Sequence, residues 1–359
     1  MSHRRRTASV PVLLATLLVA CSGSEPMDST TDQASDQADA VEEQGSAEQT
    51  GEETAEEHES EGEDGPRIVE HEFGTTEVPA DPQRIVSASV TLTGHLLALE
   101  VPVIASATTA PSPIAADDGF LLQWADVARD RGVDVLPGGQ EVDLEAIADI
   151  EPDLIVGSAF GGDAVTPETY ELLSDIAPTI VYDASGRSWQ DLLTTMAEAV
   201  GGQQAAEGRI ADFAELATEV AASVAPEHPV VAFTAPPDSN LNVFTPMSAH
   251  GRLLADLGFE LTEVDGADAG LQGGGERSDV TQVSPEQASD AFGESTVLVV
   301  FAPVGPADDV MARLPTVDAL PGPEQGRVLG LGFTSFRIDP YSAFTTAETI
   351  RDELVGAAS

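Results

Sequence analysis

The sequence has a single cysteine, no lysine and few aromatic side chains, which make up 5% of its 359 residues. One thiol excludes any disulfide within the chain. The shortage of basic groups argues against nucleic acid as a partner: fifteen Arg face sixty-three Asp and Glu, the formal charge is −48, and no basic stripe exists to neutralise phosphates. The six histidines, His3, His58, His71, His95, His228 and His250, are scattered without ligand spacing, which argues against a direct receptor for zinc or manganese. Signatures of catalysis are missing too. Gly157-Ser158-Ala159-Phe160-Gly161 has its serine displaced from a nucleophile elbow, Gly330-Leu331-Gly332 lacks the third glycine of a dinucleotide turn, and there is no P-loop and no H-E-x-x-H. We therefore expect no enzyme and no resident metal or cofactor.

What is present begins with an export signal: Arg4, Arg5 and Arg6, the apolar run Val10 to Ala20, and a small-residue cleavage region, too short together for a stable membrane span. The junction Leu18-Val19-Ala20-Cys21 resembles a bacterial lipobox, which implies that the one thiol, Cys21, carries a lipid and anchors the mature chain to the outer face of the cell membrane. From Ser22 to Gly65 there are sixteen acids, no Arg and no aromatic residue, the composition of a disordered tether with a root-mean-square span of roughly 35 to 40 Å. The expected divisions are residues 1–21 for the signal and 22–66 for the tether. From Arg67 onward forty-seven acids still face twelve Arg, so the folded body is itself strongly acidic at −35.

That body is organised around Gln203 to Ala225. Apolar residues at Ala206, Ile210, Phe213, Ala217, Val220 and Val224 alternate four and three apart and so share one face of a helix, with Glu207, Arg209, Asp212, Glu215 and Glu219 opposite. Gly201-Gly202 and Pro226 bound it, and at 1.5 Å per residue it is roughly 34 Å long, enough for a strut.

Before it, strands at Arg84–Ser87, Val101–Ala105, Asp153–Gly157 and Thr179–Tyr182 alternate with helices at Thr91–Glu100, Phe120–Arg131, Asp143–Ile150, Glu168–Ile176 and from Trp189. After it, the same beat is expected from strands at Val230–Phe233, Thr296–Phe301 and Arg327–Leu331 and helices at Ala249–Leu257, Pro285–Ala291 and Thr345–Val355. Alternation at this spacing predicts parallel sheets covered on both faces. The fold class is thus α/β: two Rossmann-like lobes, residues 67–202 and 226–359, joined by one long helix over 203–225.

The blocks RIVSASVTLTGHLLALEVPVIASATT, ADDGFLLQWADVARDRGV, PDLIVGSAFGGD, YELLSDIAPTIV, SWQDLL, NVFTPMSAHGRLLADLGF and FTSFRIDPYSA, in this order, resemble the ferric-enterobactin branch of the helical-backbone substrate-binding proteins of ABC importers. The resemblance implies two lobes on a rigid helix, a shallow cleft between them, and delivery of an iron-siderophore to a membrane permease by a monomeric carrier. A hydroxamate siderophore, haem or cobalamin is the alternative cargo, and an exported α/β enzyme or adhesion module the alternative class.

A ferric tris-catecholate carries about three negative charges on a large aromatic face, so its receptor needs guanidinium groups with aromatic partners beside them. Phe336, Arg337 and Tyr341 fall together in FRIDPYS after a strand, and the resemblance sets this Arg against the ligand. It also implies ligand contacts at Arg277, in the loop GGGERSD, and at Phe244, where the family has a tryptophan. Between Ala110 and Ala116 the expected ligand-contacting Arg is replaced by Pro111, Ser112 and Pro113, and Arg129 is the candidate to compensate. For docking to the permease the family uses exposed acids, one customarily at the position of Gly94; Glu100 and Asp256 are the substitutes here. Trp124 and Trp189 read as packing residues.

Overall fold

The computed structural model describes residues 65–139, 142–224, 227–237, 239–265, 267–268, 271–272, 275–276 and 278–357. The signal, Cys21, the tether up to residue 64 and Arg277 lie outside them. Among the described residues no helix is long and apolar enough to cross a membrane.

The first lobe opens with a hairpin that the strand pattern did not suggest, β1 (Arg67–His71) and β2 (Gly74–Val78). It continues as β3 (Ile85–Ser87), α1 (Val90–Ala98), β4 (Val103–Ser106), α2 (Ala125–Asp130), β5 (Asp134–Val135), α3 (Leu144–Asp149), β6 (Leu154–Ser158), α4 (Pro167–Ser174), β7 (Thr179–Tyr182) and α5 (Trp189–Val200). Strands β5-β4-β3-β6-β7 form one sheet in that order, every pairing parallel. Side chains cap four of these helices: Ser89 accepts from the amide of Thr91 before α1, Asp143 from Ala146 before α3, Thr166 from Thr169 before α4, and Ser188 from Asp191 before α5.

Helix α6 runs from Gln203 to Val224. Its predicted face is the one that packs: Ala206, Phe213, Ala217 and Val220 are buried, and Ile210 and Val224 lie against the same cluster.

The second lobe comprises β8 (Val230–Thr234), β9 (Leu241–Phe244), α7 (Ala249–Asp256), the short strands β10 (Ala267–Asp268), β11 (Leu271–Gln272) and β12 (Gly275–Glu276), then β13 (Val280–Val283) and α8 (Pro285–Ala291). After these come β14 (Thr296–Val299), β15 (Ala302–Gly305), the single turns α9 (Asp308–Met311), α10 (Pro315–Asp318) and α11 (Pro321–Glu324), β16 (Val328–Gly332), a 3₁₀ turn at Phe333–Phe336, and α12 (Ser342–Ala357).

Here the sheet corrects the expected parallel repeat. Its order is β10-β13-β9-β8-β14-β16-β15, and only β8, β14 and β16 run parallel to one another. The flanking pairs are antiparallel: β8 returns into β9 through a short connection, which permits only that sense, and β9–β13, β13–β10 and β16–β15 are antiparallel as well. The strand expected over Thr296–Phe301 ends at Val299, since Phe301 adopts φ +61 and turns the chain into β15.

One hydrophobic cluster unites Leu92, Leu96 and Leu97 of α1, Ile180 of β7, Trp189 and Met196 of α5, Phe213 and Val220 of α6, Val230 of β8, Leu254 of α7, Leu298 of β14 and Ala343 and Ile350 of α12. Both sheets therefore share a core through α6. Trp124 and Trp189 are buried in it, 1% and 2% exposed.

Candidate functional site

In open α/β sheets, ligands bind beyond the carboxyl ends of parallel strands. Here those ends from both sheets converge on one cavity of about 630 Å³. Its lining follows the strand order: Thr91 after β3, Phe160 to Gly162 after β6, Ala184 to Gly186 after β7, Thr234 to Pro237 after β8, Val299 to Phe301 after β14, and Phe336 to Ile338 after β16. Phe244, His250, Asp279 and Arg313 also line it.

Arg337 enters this cavity from the second lobe. Its Nη1 donates to Oγ1 of Thr91 at 2.7 Å, and its Nε is buried without a partner. Thr91 in turn sits on the carboxylate of Asp163, 3.0 and 3.1 Å from its two oxygens, while Ser89 Oγ donates to the same group at 2.6 Å and the amide of Thr91 at 3.1 Å. Asp163 is 2% exposed. A buried anion at the start of α1 thus holds Thr91 and, through it, a guanidinium from the other lobe. The guanidinium carbon lies 5.9 Å from the Phe336 ring centroid. Arg337 does not pair with Asp339, which is buried elsewhere and accepts from the amides of Tyr341 and Ser342 and from Gln123 Nε2.

On the facing wall Phe244 stacks on His250 with centroids 3.8 Å apart and planes at 27°. His250 Nε2 donates to the Ser335 carbonyl at 2.7 Å, and burial pulls its pKa down to about 4, so it stands neutral at pH 7. Arg313 was not suggested by the sequence, because nothing in ADDVMARLP marks it. Its Nη atoms donate to the Ala235 carbonyl at 3.3 and 3.4 Å, leaving its charge without a carboxylate within salt-bridge distance among the described residues. Phe160 and Phe301, also unannounced by any motif, bring the lining rings to four Phe.

Of the residues expected at the site, Arg337, Phe336 and Phe244 meet in the cavity. Tyr341 and Arg129 do not. Tyr341 turns to the back of the molecule, where the Arg209 guanidinium lies 4.9 Å above its ring, because the amide of Tyr341 is fixed by Asp339 at the entry to α12. Arg129 lies on the surface in bonds of 2.8 Å to Asp118 and Asp126. The segment from Ala110 to Ala116 does not line the cavity either, and among the described residues the first lobe contributes no charged side chain to it.

The docking candidates are both exposed: Glu100 follows α1 with φ +62, and Asp256, at the end of α7, accepts from Gln190 at 2.8 Å. The customary docking position is closed. Gly94 is buried, and a Cβ there would stand 2.6 Å from Asp339 Oδ2 and 2.9 Å from Trp124 Cδ1.

Two α/β lobes on one helix, with a site built from loops of both, define a solute-binding architecture. Residues 85–332 match the periplasmic binding protein family, and the chain belongs to that family. It is 41% identical over 293 residues to the ferric enterobactin-binding periplasmic protein FepB of Escherichia coli O6:H1, covering 80% of this chain and 91% of that protein. A probable siderophore-binding lipoprotein of Bacillus subtilis, YfiY, is 34% identical over 151 residues, 41% of this chain and 42% of that protein. The crystal structure of holo-ViuP superposes with a TM-score of 0.70 at 32% identity, covering 79% of this chain and 94% of that one. The protein is a solute-binding protein and not an enzyme.

Proposed function

We propose that this protein captures a ferric catecholate siderophore such as ferric enterobactin between its lobes and delivers it to the permease of an ABC importer. The observation that carries this reading is the content of the cavity: two guanidinium groups, Arg337 and Arg313, and four Phe rings, in a body whose charge is otherwise heavily negative. Concentrating cations there serves an anionic ligand with aromatic faces, since an Arg answers both the charge and the ring. The 41% identity to a protein named for ferric enterobactin supports the same cargo. Iron on this reading arrives already chelated, as cargo, so no resident cofactor is needed; among the described residues no cluster of His, Cys, Asp and Glu has the makings of a metal site.

Around this centre we place Phe244 and Phe336 as ring contacts, Arg277 as a further cation from its loop, and Glu100 and Asp256 as the acids offered to the permease. The lipobox at Cys21 supports a lipid anchor on the outer face of the membrane for a monomeric carrier, and one relative is itself named a lipoprotein.

The test is a parallel equilibrium titration of the purified protein with a ferric catecholate, a ferric hydroxamate, haem and cobalamin, read by tryptophan quenching and by retention of the coloured ligand on ultrafiltration. Saturation by the catecholate alone is expected. Saturation by one of the others overturns the catecholate assignment while keeping the carrier role, and no binding by any of the four overturns the reading.

A further inference from the structure

Phe301 stands at the carboxyl end of β14, the central parallel strand of the second lobe, in the turn that leads to β15. Three properties set it apart. Its backbone has φ +61, a left-handed conformation that side chains with a Cβ rarely take and that is an outlier for a bulky ring. Its side chain is 39% exposed, although it is aromatic and the neighbouring Val299, Val300 and Ala302 are all buried to 1%. It lines the cavity.

Nothing about folding calls for this combination. A tight turn here would be met with less strain by Gly or Asn, and an exposed ring gains little from burial. The ring is nevertheless held in place: its centroid is 5.1 Å from Phe336 at 55° and 5.6 Å from Phe333 at 73°, both on the turn after β16. Phe336 is the ring beside which the Arg337 guanidinium lies. The strained backbone therefore presents an aromatic face next to the cationic group already placed in the site, and strain of this kind persists where a ligand is gripped.

We infer that Phe301 is a ligand-contacting residue, the outer leaf of an aromatic shelf with Phe336 on which a catecholate ring of the cargo stacks beside Arg337. The inference rests on the catecholate reading given above. Arg313, Arg337 and Asp279 all come from the second lobe, so this shelf belongs to the lobe that carries every charged group of the described lining, and the first lobe closes over it with Thr91, Phe160 and small residues.

Three variants of the full chain decide it: Phe301→Gly, Phe301→Leu and Phe301→Tyr, each titrated with a ferric catecholate and melted. Phe301→Gly removes the ring and relaxes the turn, so the expected result is an affinity at least fivefold weaker with Tm unchanged or raised. Phe301→Leu keeps apolar bulk without a π face and is expected to lose a similar factor, whereas Phe301→Tyr stays within twofold of the parent. Parental affinity in both the Gly and Leu variants overturns the inference, and so does a lowered Tm in Phe301→Gly accompanied by parental affinity in Phe301→Leu. If the parent ignores the catecholate but takes a hydroxamate, haem or cobalamin, the catecholate reading fails and the same three comparisons with that ligand decide Phe301. A parent that binds none of the four overturns both.

Discussion

Nη1 of Arg337 and Oγ1 of Thr91 stand 2.7 Å apart across the cleft, in a bond that ties the turn after β16 to the first helix of the other lobe. Thr91 is committed to Asp163, so Arg337 is aimed before any ligand arrives. A charge held ready in this way contributes more on binding than one that must first be ordered. Arg337→Ala is expected to weaken binding of a ferric catecholate by about 1.5 kcal/mol or more, the scale of a lost charge-assisted hydrogen bond. Thr91→Val keeps the charge and removes only its support, so a smaller loss is expected from the same titration. Unchanged affinity in Arg337→Ala would remove this residue from the site.

Much of this was legible in the sequence because it depends on short-range patterns. The face of α6 follows from apolar spacing, and the chemistry of Phe336 and Arg337 from their place after a strand. What stayed hidden depends on where strands end up. Antiparallel wings on the second sheet are set by pairing partners far apart in the chain, Arg313 reaches the cavity only through the stacking of single helical turns, and Tyr341 is turned away by a carboxylate two residues before it. Periodicity carries no trace of any of these.

Gly94 offers a second test. A docking acid would be natural on an exposed helix, but α1 is buried from Leu92 to Ala98, and Asp339 fills the space above Gly94. Gly94→Asp would force a second carboxylate against a buried one. Breaking in an unpaired buried charge costs about 3 kcal/mol or more, so thermal unfolding is expected at a Tm lower by roughly 6 to 12 °C. A parental Tm would show that α1 has room to move.

Acid should destabilise the protein through its buried histidines, most strongly His95 and His250, with half-buried His71 lowered in the same direction. Burial lowers His95, whose ring nitrogens have no partner, to about 3 and His250 to about 4. In the unfolded chain both titrate near ~6.5. Above that pH their contribution is complete. As pH falls below it the unfolded state takes up protons that the folded state refuses, and stability declines by roughly 1.4 kcal/mol per pH unit for each ring, down to the folded pKa. Asp339 works in the opposite sense at the acid end, because burial raises its pKa and protonation relieves a buried charge. Melting curves between pH 7 and 5 should therefore show a steady fall in Tm. His95→Leu, which removes two unsatisfied nitrogens, should raise Tm at pH 7 and flatten the slope; an unaltered slope would assign the acid sensitivity elsewhere.

The shared core makes a claim about motion. Phe213 of α6 meets Trp189 edge-on at 5.2 Å and Phe344 of α12 at 5.3 Å, so the strut is clamped between a helix of the first lobe and the last helix of the chain. Arg209 adds a bond to the Pro340 carbonyl at 3.1 Å and lies 4.5 Å over the Phe344 ring. Opening the lobes widely would expose the cluster that α6 fills, and dry apolar surface is costly to wet. Closure on the ligand should therefore shift the scattering radius by no more than ~1 Å, the range of pre-organised binding proteins. Unfolding of the body should follow one transition rather than two: each sheet also packs a cluster of its own, around Val86, Ile155 and Val181 in the first lobe and Phe233, Val297 and Val299 in the second, but the cluster built on α6 is common to both lobes and couples them. Phe213→Ala tests both at once: it should cost about 3 to 5 kcal/mol while the melt stays a single step. Two separated transitions, in the parent or the variant, would mean that the lobes are independent and that the helix is a hinge.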